Sequence, residues 1–171
     1  MDSHQIQDPG NFEGFETLYS MLKYKDLTGS AVRERYQVVE LLGAGGMGDV
    51  YRAIDLKEKR TVALKRLVPP SKSKQRASME KNFLKEVACL EAISSPYVVE
   101  IYDAFKLDFH YYLIMEYIDG KTLENIVKET HNTSKALSPL EYIAVMTKLS
   151  RGLEAIHTVG IVHRDIKPAN I

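Results

Sequence analysis

The last eleven residues of the chain, Ile161 to Ile171, bring together a carboxylate, an ammonium group and an amide. Asp165 is followed by Lys167 two positions later and by Asn170 five positions later. A carboxylate can accept or orient the proton of an attacking hydroxyl, and a lysine can offset phosphate charge. An amide oxygen is a ligand of the kind that Mg²⁺ prefers. Phosphoryl transfer is one reaction that would use these residue types, and a polar turn after a helix is the purely structural alternative.

A second candidate site contains Gly43, Gly45 and Gly48, which precede Val50 with the spacing G-x-G-x-x-G-x-V. Backbone amides that no side chain shields can approach phosphate oxygens closely. The flanking segments are β-prone, which predicts a strand, a glycine turn and a second strand. A dinucleotide-binding loop would open a helix, and a Walker A loop would have Lys and Ser or Thr where this chain has Asp49 and Val50. A loop that covers phosphates from within a hairpin fits best, and a flexible hairpin without a ligand is the alternative.

The next strand is predicted at Thr61 to Lys65, and its period of two puts Ala63 and Lys65 on one face. Small Ala63 leaves room for a flat ring, with the ammonium group of Lys65 further along the strand. The helix predicted at Ser78 to Ser94 has an apolar stripe in which Glu86 is the one charged member. A carboxylate on a core-facing stripe needs a cation, so we expect Glu86 to pair with Lys65. A solvated edge-strand lysine is the alternative.

The remaining elements are predicted from periodicity and capping signals. Two more strands, at Tyr97 to Phe105 and His110 to Ile118, would complete a largely antiparallel sheet of five strands. A long helix is expected after Ser138, because Ser138 can act as the N-cap and Glu141 can complete a capping box. The first 35 residues contain a short amphipathic pattern, which predicts a helix that packs on the domain or docks a partner.

Composition limits the classes of protein that the chain can belong to. Its 171 residues suit one domain, and its 23 basic and 23 acidic residues give no argument for binding nucleic acid. The single cysteine, Cys89, excludes an internal disulfide. The sequence has no apolar run of transmembrane length and no signal-peptide pattern. We therefore expect a cytoplasmic protein, with any membrane anchor lying beyond these residues.

The order of these motifs resembles the protein kinase superfamily over residues 36 to 171. The resemblance rests on the glycine loop, the Val-Ala-Leu-Lys strand, the helix with an inward Glu, the segment Met115-Glu116-Tyr117 and the loop His163-Arg164-Asp165. Lys167 and Pro168 are similar to the serine/threonine branch, and the loop G-A-G-G-M-G-D-V-Y is similar to that of bacterial serine/threonine kinases.

The resemblance implies an α+β fold. Residues 1–35 would be an N-terminal extension, and residues 36–118 a kinase N-lobe with a five-stranded antiparallel sheet and one helix. Residues 119–171 would be the hinge and the first helices of the helical C-lobe, ending at the catalytic loop.

The resemblance also implies a function, the transfer of the ATP γ-phosphoryl group to Ser or Thr hydroxyls of protein substrates, with ATP and Mg²⁺ as cofactors. Catalytic roles would fall to Asp165, Lys167, Lys65 and Glu86, and Asn170 would be a metal ligand. The nucleotide would be bound by Leu42, Gly43, Ala44, Gly45, Gly46, Met47, Gly48, Asp49, Val50, Ala63, Lys65, Met115, Glu116 and Ile118.

One departure from the family pattern leaves an alternative open, although the intact motif residues favour the enzyme. No Asp-Phe-Gly motif follows Asn170 or occurs upstream, so the 171 residues lack the carboxylate that holds the principal metal ion in the family. The alternative to an enzyme cut after its catalytic loop is a catalytically incomplete chain that binds nucleotide or occupies a kinase partner.

We expect these 171 residues alone to show little or no kinase activity, because the acidic metal ligand is missing from them. The measurement is phosphate transfer from ATP and Mg²⁺ to generic Ser/Thr substrates by the purified chain. Turnover at the rate of an intact kinase would contradict this expectation.

Overall fold

The structure is a computed structural model, and it describes residues 25–45, 48–68, 90–133 and 137–171, together with positions 81, 83, 85, 87 and 88. Its strands are β1 (Ala31–Val32), β2 (Tyr36–Gly45), β3 (Gly48–Asp55), β4 (Arg60–Leu67), β5 (Ile101–Leu107) and β6 (His110–Glu116). They are followed by two helices, α1 (Leu123–Thr133) and α2 (Pro139–Thr158), and by a 3₁₀ turn at Pro168–Asn170. The described positions between 81 and 90 are helical. Among the described helices, none is long and apolar enough to cross a membrane.

The strands form one antiparallel sheet in the order β1-β2-β3-β4-β6-β5. This arrangement confirms the predicted α+β class, but the predicted count of five strands is wrong, because the sheet has six. The additional strand, β1, pairs Ala31 with Gln37 and Val32 with Tyr36. A turn at residues 33–35, in which the Arg35 amide donates a hydrogen bond to the Val32 carbonyl over 3.2 Å, connects β1 to β2. Two residues are too few for an alternating pattern to predict a strand.

Two predicted strand boundaries also differ from the structure. β5 begins at Ile101 rather than Tyr97, because a turn precedes it in which Val98 donates a hydrogen bond to the Ser95 carbonyl over 3.2 Å. β6 ends at Glu116 rather than Ile118, since its pairing with β4 stops where Glu116 faces Val62. β-branched and aromatic residues continue across both boundaries, so composition alone extends the strands too far.

The sheet buries a different cluster on each face. Nine residues fill the core of the first face, with Leu27 and Phe105 packed against it: Val32, Tyr36, Val38, Tyr51, Ala53, Val62, Leu64, Tyr112 and Ile114. The rings of Tyr36, Phe105 and Tyr112 stack in sequence, with centroids 5.9 and 5.3 Å apart. On the second face, the helical positions 83 and 87 pack on Tyr111, Leu67 and Leu113. We call the first of these the outer face and the second the helix face.

Helix α2 begins and ends as its sequence predicts. The hydroxyl of Ser138 accepts a hydrogen bond from the Glu141 amide, and the Glu141 carboxylate accepts one from the Ser138 amide, which completes a capping box. At the other end Gly160 has a φ of 77°, and the amides of Gly160 and Ile161 donate to the carbonyls of His157 and Ile156. These two bonds form a Schellman motif, which ends the helix and turns the chain towards Asp165.

Helix α2 contacts the sheet part of the molecule through Gly152. The carbonyl oxygen of Tyr97 lies 2.9 Å from the place where a Cβ atom of residue 152 would be. Beside it, Arg151 donates a hydrogen bond to the Tyr97 hydroxyl over 2.9 Å. At the far end of the chain, the amide of Leu123 donates to the Ile171 carbonyl over 2.7 Å, which ties the start of α1 to the end of the Asp165 loop.

A buried ion pair joins the start of β2 to the end of β3. The Asp55 side chain is 0% exposed and accepts two hydrogen bonds from Arg35, over 2.8 and 2.7 Å. It also accepts hydrogen bonds from the backbone amides of Lys57 and Glu58. The Arg35 guanidinium, followed by these amides, lowers the pKa of Asp55 from 3.8 to about 2.

We expect Asp55→Asn to lower the free energy of unfolding at pH 7 by about 2 to 4 kcal/mol, because it removes the closest charged partner of the Arg35 guanidinium and leaves only Glu58 and Asp103, at 4.0 and 3.9 Å. The folded pKa of Asp55 is depressed, so its contribution is present above the unfolded value of 3.8 and is lost as the pH falls towards 2. The difference in the free energy of unfolding between Asp55→Asn and the parent should therefore shrink between about pH 4 and pH 2.

Urea unfolding at several pH values would measure both effects. Glu40→Gln is the matched control, because Glu40 pairs with Arg52 on the same hairpin but its side chain is 52% exposed. A surface pair of this kind contributes about 0 to 1 kcal/mol. Equal stability of Asp55→Asn and the parent at pH 7 would show that the buried pair does not stabilise the sheet.

Candidate active site

Three of the predicted catalytic-loop residues lie within hydrogen-bonding distance of one another. The Lys167 ammonium is 3.0 Å from Oδ2 of Asp165. The Asn170 amide nitrogen donates to the same oxygen over 3.0 Å and to the Asp165 carbonyl over 2.8 Å. These bonds to Lys167 and then to Asn170 lower the pKa of Asp165. Its side chain is nevertheless half exposed, so an incoming hydroxyl group can reach the carboxylate.

The local backbone places the Asp165 carboxylate and the two side chains that bind it on one side of the loop. Arg164 has a φ of 62°, in the left-handed region that non-glycine residues seldom adopt. The amide of Asp165 donates to Nδ1 of His163 over 3.3 Å. Pro168 then begins a 3₁₀ turn in which the Asn170 amide donates to the Lys167 carbonyl over 2.9 Å. This tight turn is why residues two and five positions after the aspartate can both contact it.

Asn170 is suited to bind a metal ion. Its amide nitrogen makes both bonds to Asp165, so its side-chain oxygen is not used in either and has a fixed orientation. The described residues contain no group of three or more His, Cys, Asp or Glu side chains that could hold a metal ion by themselves. The chain therefore fits an ion that takes its other ligands from phosphate oxygens and water, as Mg²⁺ commonly does.

Four of the predicted nucleotide-binding residues share the helix face of the sheet. Lys65 of β4 pairs with Val50 of β3, and Ala63 pairs with Met115 of β6. Directly paired residues of neighbouring strands lie on the same face, and so do residues two apart in one strand. Val50, Ala63, Lys65 and Met115 consequently form one surface, on which Ala63 is buried and Lys65 is half-buried.

The segment after β6 has backbone groups that could bind a purine edge. The Glu116 amide donates to the Glu100 carbonyl over 2.9 Å, a bond that does not use the Glu116 carbonyl. The Ile118 carbonyl accepts from Gly120 over 3.1 Å, a bond that does not use the Ile118 amide. Residues 117–119 have no regular structure, and Ile118 is 58% exposed. The Glu116 carbonyl and the Ile118 amide are thus an acceptor and a donor, two residues apart, that neither of these bonds uses.

The glycine motif forms the tip of the β2–β3 hairpin, as predicted. Gly43, Ala44 and Gly45 pair with Val50, Asp49 and Gly48, and a register shift places Leu42 in a bulge before them. Gly48 has a φ of 126°, and a Cβ atom on it would lie 2.0 Å from the Arg66 carbonyl oxygen. The hairpin therefore packs so closely on β4 that only glycine fits at position 48.

The structure separates one predicted residue, Asp49, from the rest of the site. Its side chain lies on the outer face, where it accepts a hydrogen bond from Arg66, whereas Lys65 lies on the helix face. The predictions for Gly46, Met47 and Glu86 fall outside the described residues, so the Lys65–Glu86 pair stays a prediction. Sequence reasoning missed Arg66, which directly follows Lys65 and whose burial no motif indicates.

Comparison with known proteins identifies the class to which this fold and site belong. The family model for the protein kinase domain matches residues 36–171. The chain is a member of the protein kinase family, and the predicted kinase-like fold is confirmed. Members of this family use ATP and a divalent metal ion.

The relatives confirm the resemblance to bacterial serine/threonine kinases. The chain is 37% identical over 146 residues to a probable serine/threonine-protein kinase of Clostridium perfringens, covering 85% of this chain and 20% of the relative. It is 35% identical over 145 residues to PrkC of Bacillus subtilis, covering 85% and 22%. Over 136 residues it is 35% identical to PknD of Mycobacterium tuberculosis, covering 80% and 20%. The chain thus spans about a fifth of the length of these relatives.

A solved structure agrees with this placement. The crystal structure of the Mycobacterium tuberculosis PknI kinase domain superposes with a TM-score of 0.71 at 26% identity, and the match covers 85% of this chain and 58% of that one. The chain corresponds to the N-terminal part of a kinase domain.

We expect Gly48→Ala to lower the free energy of unfolding by about 1 to 3 kcal/mol, because the new Cβ atom meets the Arg66 backbone and the residue must keep a positive φ. Chemical denaturation measures this change. Gly45→Ala is the matched control, since a Cβ atom there meets no described atom within 4 Å. A loss at Gly45 as large as that at Gly48 would contradict the close packing of the hairpin on β4.

Proposed function

We propose that this chain provides the nucleotide-binding sheet and the catalytic loop of a serine/threonine protein kinase, which transfers the γ-phosphoryl group of ATP to hydroxyl groups of protein substrates. The observation that carries the proposal is the arrangement around Asp165, where a half-exposed carboxylate is contacted by one ammonium and one amide group. The family membership of residues 36–171 supports it.

Asp165 would orient the substrate hydroxyl and accept its proton late in the reaction. The contacts with Lys167 and Asn170 lower the pKa of the carboxyl group, so it is ionised at neutral pH and is a weak base. Phosphoryl transfer has a loose transition state, in which the nucleophile needs alignment more than early deprotonation. A weakly basic but well-oriented carboxylate suits that requirement.

Lys167 and Asn170 would act on the charge of the transferred group. The Lys167 ammonium lies next to Asp165, where a phosphoryl group approaching the substrate hydroxyl would meet it. Asn170 would supply its side-chain oxygen to Mg²⁺, the metal we propose because it binds oxygen ligands and phosphates. The bound ion would neutralise charge on the phosphates.

Lys65 and the glycine hairpin would hold the ATP phosphates, with the adenine ring placed between Ala63, Val50 and the segment after Met115. This part of the proposal rests on their common face and on the exposed backbone of residues 43–45. The ammonium of Lys65 lies further along the strand from the ring position, at the side from which the hairpin approaches.

The experiment compares Lys65→Ala and Asp165→Asn in a kinase domain that contains this chain as its N-terminal part. Lys65→Ala should weaken ATP binding by about tenfold or more, because a charge-assisted contact to phosphate is lost. Asp165→Asn should leave ATP affinity unchanged and lower the rate of phosphate transfer by about 10²-fold or more. Calorimetric titration and transfer from labelled ATP measure the two quantities.

Exposed residues provide the controls for both variants. Lys57→Ala removes a lysine that is 70% exposed in the β3–β4 turn, and Asp108→Asn changes an exposed aspartate in the β5–β6 turn. Neither control variant should change the ATP affinity or the rate of phosphate transfer. Equal ATP affinity of Lys65→Ala and the parent would remove Lys65 from the site, and full transfer by Asp165→Asn would contradict the assigned role of the loop.

A further inference from the structure

Arg66 is a buried cation that donates hydrogen bonds to three groups from two parts of the chain. It is 2% exposed, and burying a guanidinium costs free energy unless its nitrogens are paired. Nη2 donates to Asp49 over 2.5 Å and to the Tyr51 hydroxyl over 3.2 Å, and Nη1 donates to the Lys25 carbonyl over 2.6 Å. Nε is buried without a hydrogen-bond partner among the described residues. The bonds made by the two terminal nitrogens must therefore offset the cost of burying the guanidinium.

The contact between Asp49 and Arg66 fixes the second limb of the glycine hairpin. The two residues are direct cross-strand partners, and Asp49 immediately follows Gly48. The Gly48 backbone already rests on the Arg66 carbonyl, with no space for a Cβ atom. The hairpin is therefore held to one residue of β4 by its main chain and by a charged side chain.

The same strand also carries Lys65, the residue immediately before Arg66. Consecutive side chains of a strand point to opposite faces, so Lys65 lies on the helix face while Arg66 holds the hairpin from the outer face. Any shift of the hairpin relative to Arg66 changes the distance between the glycine amides and the Lys65 ammonium. Both groups have to meet one set of phosphates at the same time.

We propose that Arg66 is a positioning residue for the nucleotide phosphates, which acts through Asp49 by holding the glycine hairpin in register with Lys65. The inference rests on the proposed nucleotide site but adds a residue that does not itself contact the nucleotide. It also gives the segment before β2 a part in the site, because the Lys25 carbonyl is one of the three acceptors that hold Arg66 in place.

The surroundings of Arg66 favour Asp49 as its stable charged partner. Burial, followed by the charge of Arg66, lowers the pKa of neighbouring His110, so the imidazole is neutral and does not compete as a cation. Asp49 itself is mostly buried, with 20% of its side chain exposed, which limits competition from water. An ion pair so shielded is screened by salt much less than the exposed Arg52–Glu40 pair of the same hairpin.

The test compares the binding of ATP with the binding of adenosine. Arg66→Met and Asp49→Asn should each weaken ATP binding by about tenfold, as expected when one charge-assisted contact no longer orders the hairpin. Adenosine affinity should change less than about twofold, because adenosine lacks the phosphates that the glycine amides and Lys65 contact. The double variant should bind ATP about as weakly as either single variant, since both remove the same contact.

Two further variants separate positioning from general stabilisation. Arg66→Lys keeps the charge, but a single ammonium cannot match the planar fork of the guanidinium, so it should restore ATP affinity only in part. Arg52→Met removes an arginine from the exposed pair of the same hairpin and should leave both affinities unchanged. Equal losses of ATP and adenosine affinity in Arg66→Met would assign Arg66 a purely structural role and overturn the proposal.

If the parent binds no nucleotide, hydrogen exchange of the unliganded chain can still test whether Arg66 holds the glycine hairpin. That result would contradict the proposed function but not the tie between Arg66 and the hairpin. Arg66→Met should then speed amide exchange at residues 43–50 and leave helix α2, Pro139–Thr158, unchanged. Unchanged exchange at 43–50, with or without nucleotide binding, would overturn the role of Arg66.

Discussion

The alternation of side chains along β4 is the constraint on which the sheet and the proposed nucleotide site both depend. β4 lies between β3 and β6, so both of its edges are paired and its side chains can only go to the two faces. Val62, Leu64 and Arg66 enter the outer face, and Ala63, Lys65 and Leu67 enter the helix face. A shift of one residue in register would exchange the two sets, placing Lys65 in the apolar cluster and Leu64 at the phosphates. The stability of the sheet and the position of Lys65 are therefore fixed by the same pairing.

The Asp165 loop depends on shorter-range constraints. A Schellman motif ends α2 at Gly160, Arg164 takes up a left-handed backbone conformation, and a 3₁₀ turn begins at Pro168. Each of these devices acts within a few residues, so the cluster of Asp165, Lys167 and Asn170 is assembled by local backbone geometry. Within the part of the chain that the structure describes, the hydrogen bond from the Leu123 amide to the Ile171 carbonyl ties this loop to the start of α1. Local assembly explains how a half-exposed carboxylate can hold a defined orientation.

This difference in range also explains what the sequence could predict. The hairpin with its glycine tip, the common face of Ala63 and Lys65, the cap at Ser138 and the stop at Gly160 all follow from periodicity or from single-residue preferences. Strand β1, the buried pair of Arg35 with Asp55 and the burial of Arg66 do not, because each depends on segments that are far apart in the chain. An arginine is normally an exposed residue, and only the three-dimensional arrangement of Asp49, Tyr51 and the Lys25 carbonyl makes its burial favourable.

The contact between Gly152 and the Tyr97 carbonyl shows a conflict between two levels of structure. Glycine in the interior of a helix costs about 1 kcal/mol relative to alanine, so the propensity of α2 by itself would favour a different residue. Alanine would place its methyl group 2.9 Å from the Tyr97 carbonyl oxygen. This oxygen belongs to the backbone, so it cannot easily move away. Helix propensity and close approach of the helix to the turn before β5 thus favour different residues at one position. In a library of random variants, position 152 would be among the least permissive of α2, although it is neither charged nor part of any motif.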